Sequence, residues 1–570
     1  MNCKYITNTE VLKTYLRQYQ EQDVQVVGLD LETMGEDPLN PRKGGIRLIQ
    51  LSGQGLPILI IDYPRLNVEG KNDLKQYLES DVIKVLHNAK FDMEFLKING
   101  IDLKQPIFDT LLAAAVLKAG LNPSLKLDAV VKEYLNYDLP KEEQRSDWSQ
   151  EQLTPDQLLY AARDAWILLP LREKLIQELY RADLLEVANL ECQTLPAIVE
   201  MELNGIRVNV QGTAVLEKTV KERLRIKEQE LNAIIGKDIN VNSSKQVKEL
   251  LESLGVEVKS SKSEDLSKLN DQHPAIAPIL ACKVLTKQLQ FAKKIPKGVE
   301  PETGRLYSQY RQLGAITGRL SCKEFNLQQV PHDSAFRELF VPNEGDVFVI
   351  SDYSQMQIRI AAEISGDQTM LAAYQQGLDL HTLTASLVSG VDVNEVTKAM
   401  RSEAKALNFG MLFGMGAESL ITYAWGSYEV LLTLEQSQTF IDTFFKTYRG
   451  LKAWQTKQGR QQTSKAYTLG KRRQLFPGKA RYTQLVNTPI QGTEADILKT
   501  VLSILPDLLA GTSGKLIACI HDEIVVECLK DEAPLVQELL KSAMEISAKK
   551  YLKTVPVVAD AHIASSWAEK

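Results

Sequence analysis

The stretch GLDLET sets Asp30 and Glu32 two residues apart. Side chains alternate along a strand, so both carboxylates would leave by one face. Asn88 and Asp92 in HNAKFD, and Tyr160 and Asp164 in YAARD, stand four apart, the spacing of neighbours on a helix face. Carboxylates gathered at one point repel unless divalent cations neutralise them, and hard cations such as Mg2+ or Mn2+ take oxygen ligands. Two such ions about 4 Å apart can activate a water and stabilise the leaving oxygen of a phosphodiester. Tyr160 could orient that water. Singly, each acid has a plain alternative as a surface group; the set, each at the end of a plausible element, points to chemistry.

A second set lies further on. In LIACIHDEIVVEC, Asp522 and Glu523 interrupt an apolar, β-branched run, and a buried charge must be paired or metal-bound. The acid to meet them is Asp352 in VFVISDYSQMQIR, an apolar strand ending in a carboxylate. Alone, each is a turn aspartate after a strand. RSEAKALNFGMLFGMG changes that reading. Arg401, Lys405, Phe409 and Phe413 follow at four-residue steps on one helix face, which Gly414 and Gly416 then stop. Two cations followed by two aromatics suit a nucleoside triphosphate, the cations on phosphate and Phe409 against sugar and base. A packed core with solvated cations is the alternative.

The elements that must position these groups can be read coarsely. VQVVGLDLET, IRLIQLSG, PILIIDY and VIKVLH read as strands; DTLLAAAVLKAG and DQLLYAARDAWILLPLREKLIQELY read as helices, which together predict one α/β domain over about residues 1–185. TAVLEKTVKERLRIKEQELNAIIG is a long amphipathic helix ending at Gly236, either a coiled arm or a DNA-gripping element. Strands return in VFVISDYS and KLIACIHDEIVVEC. At 570 residues the chain predicts three or more packed units. Its 44% hydrophobic and 25% charged content is ordinary for a soluble protein, with no run that spans a bilayer and no signal-peptide layout. Six scattered cysteines without a CxxC pair suit a reducing cytoplasm.

A net charge of −6 does not announce nucleic-acid binding, but its distribution does. Residues 443–493 hold no acid and carry Lys446, Arg449, Lys452, Lys457, Arg460, Lys465, Lys471, Arg472, Arg473, Lys479 and Arg481. That predicts a phosphate-facing surface rather than a merely solvated basic face.

Asp30, Glu32, Asp92, Tyr160 and Asp164, in this order and spacing, resemble the DEDD 3′–5′ exonucleases of the tyrosine subtype. From about residue 190 onward the chain resembles A-family DNA polymerases: SDYSQMQIR is similar to their motif A, RSEAKALNFGMLFG to motif B, HDE to motif C. TGRLSCKEFNLQQVP and NTPIQGTEAD resemble two further blocks of that family. The resemblance implies an RNase H-like α/β exonuclease domain with a mixed sheet, then an α+β right-hand polymerase. It divides the chain as exonuclease 1–185, thumb and start of palm 186–330, palm 331–365, fingers 366–475 and palm 476–570.

It also implies roles. Asp352, Asp522 and the Tyr353 carbonyl would hold two Mg2+ ions, with Glu523 in support and Mn2+ able to substitute; the exonuclease carboxylates would hold another two. Arg401 and Lys405 would grip the triphosphate, Lys405 also protonating the leaving group, with His381 assisting. Tyr353, Gln355, Gln357, Phe409 and Phe413 would shape the nucleotide pocket. Arg319, Asn487, Gln491, His521 and the Lys471-Arg472-Arg473 run would contact DNA. The implied partners are primer–template DNA, deoxynucleotides and a processivity factor or helicase, for a monomer in the cytoplasm acting in replication more than repair. The chain begins at the exonuclease, which resembles the short forms without a 5′-nuclease domain.

This sequence departs from the family at Gln357, where a glutamate usually blocks a ribose 2′-hydroxyl, and at Phe413, where a tyrosine usually bonds that glutamate. An amide is cheaper to bury without the phenol donor, so ribonucleotide rejection is expected to persist in weaker form. Thr483 stands where an arginine is usual, and Arg481 would substitute. Phe409 implies rejection of dideoxynucleotides. The competing readings are a single-subunit RNA polymerase, a replication scaffold, and a DEDD exonuclease whose C-terminal half only binds nucleic acid.

Overall fold

The computed structural model describes residues 1–140, 143, 146–428 and 430–569. The N-terminal part is built on six strands: β1 (Cys3–Ile6), β2 (Val26–Gly35), β3 (Gly44–Gly53), β4 (Ile58–Asp62), β5 (Ile83–Leu86) and β6 (Ile107–Asp109). Their spatial order is β1-β4-β3-β2-β5-β6. The β4–β3 and β3–β2 pairs are antiparallel and the other three parallel, which makes a mixed sheet. Helices cover both faces, so β4 is apolar at successive positions: Leu59 and Ile61 pack toward one layer, Ile58 and Ile60 toward the other. Alternation sends Leu29 and Leu31 of β2 into the first layer and Asp30 and Glu32 the opposite way. The β2–β3 register shifts at Glu32/Thr33, a bulge of the kind that re-aims a side chain beside a site.

The opposite layer is the Pro155–Arg181 helix, which carries Tyr160 and Asp164. It starts at a capping box, Thr154 with Gln157, and runs through Pro170. The next helix, Leu185–Asn204, joins the two halves of the molecule. Leu195 and Val199 lie in the N-terminal core, and Ala197, Ile198 and Met201 in the C-terminal one.

The C-terminal part centres on a four-stranded antiparallel sheet in the order Lys515–Ile520, Glu523–Leu529, Asp346–Tyr353, Ala559–Ala564. Val347 and Val349 face a core shared with the Tyr482–Leu509 and Ala533–Lys549 helices, while Phe348 and Ile350 face a second core closed by Trp567. Burial on both faces explains the unbroken apolar run before Asp352. The amphipathic helix Val210–Ile235 ends at Gly236 in the left-handed region, as its sequence predicts. It packs against Ile276–Gly298. Among the described residues no helix is long and apolar enough to cross a membrane.

Candidate active sites

In the N-terminal part the ligand oxygens of Asp30, Glu32 and Asp164 lie within 4.8 Å of one another. Asp92, in the first turn of the Ala89–Ile98 helix, is buried beside them. Burial, and then the neighbouring carboxylates, raise Asp30, Glu32 and Asp92 well above the usual carboxylate range. Burial pushes Asp164 up to about 6 against the hydrogen bond from Tyr160, which lowers it. Burial, with Asp164 and Glu32 close by, pushes the Tyr160 phenol up as well. One oxygen of Asp164, Oδ1, is buried without a hydrogen-bond partner. Concentrated like charge and an orphaned carboxylate oxygen fit a divalent cation.

The sequence reading missed a support of this site. Asp109, at the end of β6, accepts backbone N–H groups from Asn88 and Ala89 at 3.1 and 2.9 Å and from Leu111 and Leu112 at 2.8 and 3.3 Å. It thereby fixes the starts of two helices, one of which carries Asp92.

In the C-terminal part HDE is a hairpin turn. Ile520 pairs with Glu523, leaving His521 and Asp522 as the two turn residues, with His521 at φ +58°. The neighbouring strand pairs Ser351 with Ile524, so Asp352 follows at the same end of the sheet as the turn. Burial raises the Tyr353 phenol, and Asp522 close by adds to it. That phenol donates to the Met544 carbonyl at 2.7 Å, which anchors the strand end in the core. Glu523 is buried; it accepts from the Trp567 indole at 2.5 Å and stands 3.9 Å from Arg337. These two partners, far away in sequence, were not foreseen.

The cation–aromatic face is the Lys398–Leu412 helix, with Phe413 as its C-cap and Gly414 in the left-handed region. Arg401 pairs with Asp379 at 2.7 Å, and Lys405 lies 5.9 Å from the Tyr428 ring. Phe409 is 6.3 Å from Phe413 and 6.5 Å from Tyr428, centre to centre, both near parallel. His381 is 2% exposed; its Nδ1 accepts from the Asn408 amide at 2.9 Å, and its ring lies 5.8 Å from Phe409. Burial lowers it to about 4, with Lys405 and Arg401 contributing against Asp379.

Several side chains stand elsewhere than the sequence suggests. Gln355, expected in the nucleotide pocket, is engaged in scaffolding: its amide donates to Asp379 at 2.6 Å and its carbonyl accepts from Tyr374 and Leu380 at 3.2 and 3.3 Å. Asp379, which also caps the Leu380–Ser389 helix, was not singled out.

The Lys471-Arg472-Arg473 run departs furthest from a DNA surface. Arg472 is 5% exposed and is held by Glu191 and Asp496, each at 2.6 Å. Lys499 joins Glu191 at 2.6 Å, which completes a buried group of two acids and two bases. Arg473 donates to the Leu117 carbonyl at 2.9 Å, and Lys471 pairs with Asp183 at 2.9 Å. Arg472 and Arg473 are therefore turned to protein acids or carbonyls, while Lys471 remains exposed in a surface pair. Lys446, Arg449, Lys452, Lys457, Arg460, Lys465, Lys479 and Arg481 of the same stretch are exposed.

Asn487 and Gln491 share a face of the Tyr482–Leu509 helix, and the Asn487 carbonyl oxygen is buried without a partner. Glu494, three residues beyond Gln491, is 4% exposed and pairs with Arg319. Its spacing was the signal that could have marked it.

Residues 210–569 match the family model for DNA polymerase family A, and residues 3–180 that for 3′–5′ exonuclease. The DNA polymerase I of Aquifex aeolicus is 32% identical over 597 residues that cover 100% of both chains. That of Bacillus subtilis is 30% identical over 526 residues, covering 86% of this chain and 58% of the relative. Among solved structures, the POL domain of Pol1 from M. smegmatis, in complex with DNA primer–template and dNTP, superposes with a TM-score of 0.83 at 24% identity, covering 99% of each chain, which is a likeness of fold.

Proposed function

The chain belongs to DNA polymerase family A and joins a 3′–5′ exonuclease domain to its polymerase, and from that premise we propose how its residues divide the two reactions. The observation that supports the reading is that Asp352 and the His521-Asp522 turn lie at the same end of one sheet.

Asp352, Asp522 and the Tyr353 carbonyl are the groups to hold Mg2+, or Mn2+ in its place. Ions bound there would lower the pKa of a primer 3′-hydroxyl and neutralise the leaving pyrophosphate. The protein's own groups do the rest. Arg401 and Lys405 bind the triphosphate, and Lys405 delivers a proton to the leaving oxygen. His381, neutral and buried, backs Phe409, which lies against sugar and base. Gln357 obstructs a 2′-hydroxyl, while Arg319, Asn487, Gln491 and His521 contact primer and template. In the N-terminal domain Asp30, Glu32, Asp92 and Asp164 hold the ions of the hydrolytic reaction, and Tyr160 orients its water.

The substrates are primer–template DNA and deoxynucleotides, and the role is replication with proofreading. It would be carried out in the cytoplasm by a monomer aided by a processivity factor or helicase.

The test is extension of a labelled primer on a DNA template with Mg2+. Asp352→Asn is expected to abolish extension and keep degradation; Asp30→Ala is expected to do the reverse. A wild-type chain that degrades primers and never extends them would leave the C-terminal half as a binding platform.

A further inference from the structure

Glu494 presents a buried carboxylate to two side chains at once. Gln357 Nε2 donates to its two oxygens at 3.0 and 3.3 Å. The Arg319 guanidinium pairs with it from another side. His521, beside Asp522 in the hairpin turn, lines the same small cavity as Arg319 and Glu494. The reading above gives Gln357 to the sugar of the incoming nucleotide and Arg319 to the primer–template, and Glu494 bonds both side chains.

The carboxylate also decides which way the amide faces. A carboxylate only accepts hydrogen bonds, so it takes the NH2 end of Gln357 and repels the carbonyl end. The Gln357 carbonyl oxygen is left buried without a partner, an arrangement that persists only while the NH2 end is held. Arg319 supplies a counter-charge to the Glu494 carboxylate, whose residue is only 4% exposed. The three side chains therefore form a single unit, contributed by three separate parts of the sequence.

We propose that Glu494 is the positioning residue for sugar selection. It holds Gln357 in one rotamer against the 2′ position of the incoming sugar, and through Arg319 it links that rotamer to the primer–template. The proposal rests on the assignment of Gln357 to the sugar.

The test measures kcat/KM for a deoxynucleotide and its matching ribonucleotide in single-nucleotide primer extension. Wild type, Glu494→Gln, Glu494→Ala, Gln357→Glu and the exchange Gln357→Glu/Glu494→Gln would be compared. Glu494→Gln and Glu494→Ala are expected to lower the preference for deoxynucleotides about tenfold, the worth of one hydrogen bond to a charged group. Gln357→Glu sets two carboxylates against each other and is expected to disturb the pair as well. The exchange again pairs one amide with one carboxylate, and is expected to return the preference to within about threefold of wild type, since coupled residues are not additive.

Unchanged preference in both Glu494 variants would overturn the proposal, as would an exchange variant whose defect is the product of its parents. A wild-type chain that accepts both sugars equally would sink the assignment of Gln357 as well. Retained 3′–5′ degradation of single-stranded DNA identifies variants that have folded, and the two Glu494 variants decide the matter if Gln357→Glu does not.

Discussion

Among the exonuclease carboxylates, charge is held in a place where it is expensive. Burial and mutual repulsion keep Asp30, Glu32 and Asp92 well above the ordinary range. A divalent cation that binds the folded site and not the unfolded chain stabilises the fold by mass action. Asp164→Asn removes one of the repelling charges and one ligand. It is expected to raise the melting temperature without metal, to shrink the further rise on adding Mg2+, and to cut primer degradation by at least about a hundredfold. Scanning calorimetry with and without metal, beside a degradation assay, checks all three. These carboxylates were legible because strand alternation and helix spacing are local rules. Glu494 was legible only in its place on the Gln491 face, and Asp379 not at all, because what gives them meaning is a partner far off in the chain: Gln357 and Arg319 for the first, Gln355 and Arg401 for the second.

The same limit operates on elements. The segment TLGKRRQLFP, inside the acid-free basic stretch, reads as a DNA-contacting stretch from its charge and its family resemblance. It folds as a hairpin of Lys465–Tyr467 with Arg473–Leu475, and the hairpin docks on the exonuclease domain. Leu475 N–H donates to the Ala119 carbonyl at 2.8 Å, and a Cβ on Gly120 would stand 2.1 Å from the Leu475 oxygen. Sequence periodicity finds strands and helices, but it does not say which of eleven cations already has a buried acid. Arg472 has two, Glu191 and Asp496. Arg472→Gln would leave Glu191 and Asp496 short of a counter-charge in the interior, at a cost of about 3–5 kcal/mol. Denaturant unfolding is expected to show that loss, while the DNA affinity of the folded fraction stays close to wild type. A large drop in affinity at unchanged stability would return Arg472 to the DNA surface.

At the scale of the whole molecule the chain is a DNA-directed DNA polymerase with a 3′–5′ exonuclease, and one helix, Leu185–Asn204, belongs to the cores of both parts. The order of the two activities along the chain was legible because their motifs are long and sequential. The shared helix was not, since a two-sided apolar pattern does not say which cores it serves.

Acid should test the assembly as a unit. Burial holds His87 and His381, one in each part, at about 4 in the folded protein. In the unfolded chain they titrate near about 6.5. Above that pH both states are neutral; as the pH falls toward 4 only the unfolded chain takes up these protons, so stability is lost across that window, by about 3 kcal/mol for each histidine. The exonuclease carboxylates, raised in the folded protein, act in the opposite direction, so the histidine share is read by difference: between pH 7 and about 4.5 the unfolding midpoint of His381→Gln is expected to lose less, or gain more, than that of wild type.

Arg401 brings a last consequence. It is already satisfied by Asp379 at 2.7 Å before any nucleotide arrives. A triphosphate that takes Arg401 exchanges one anion for another there, so at this residue entry is a trade of partners rather than a gain of one. Dissolved salt weakens the pair being broken along with the pair being made. The KM for a deoxynucleotide should therefore climb only gently with ionic strength in the wild-type chain. In Asp379→Asn, where Arg401 keeps no internal rival, KM should start lower and climb more steeply. Parallel slopes for the two proteins would mean that Arg401 does not change hands.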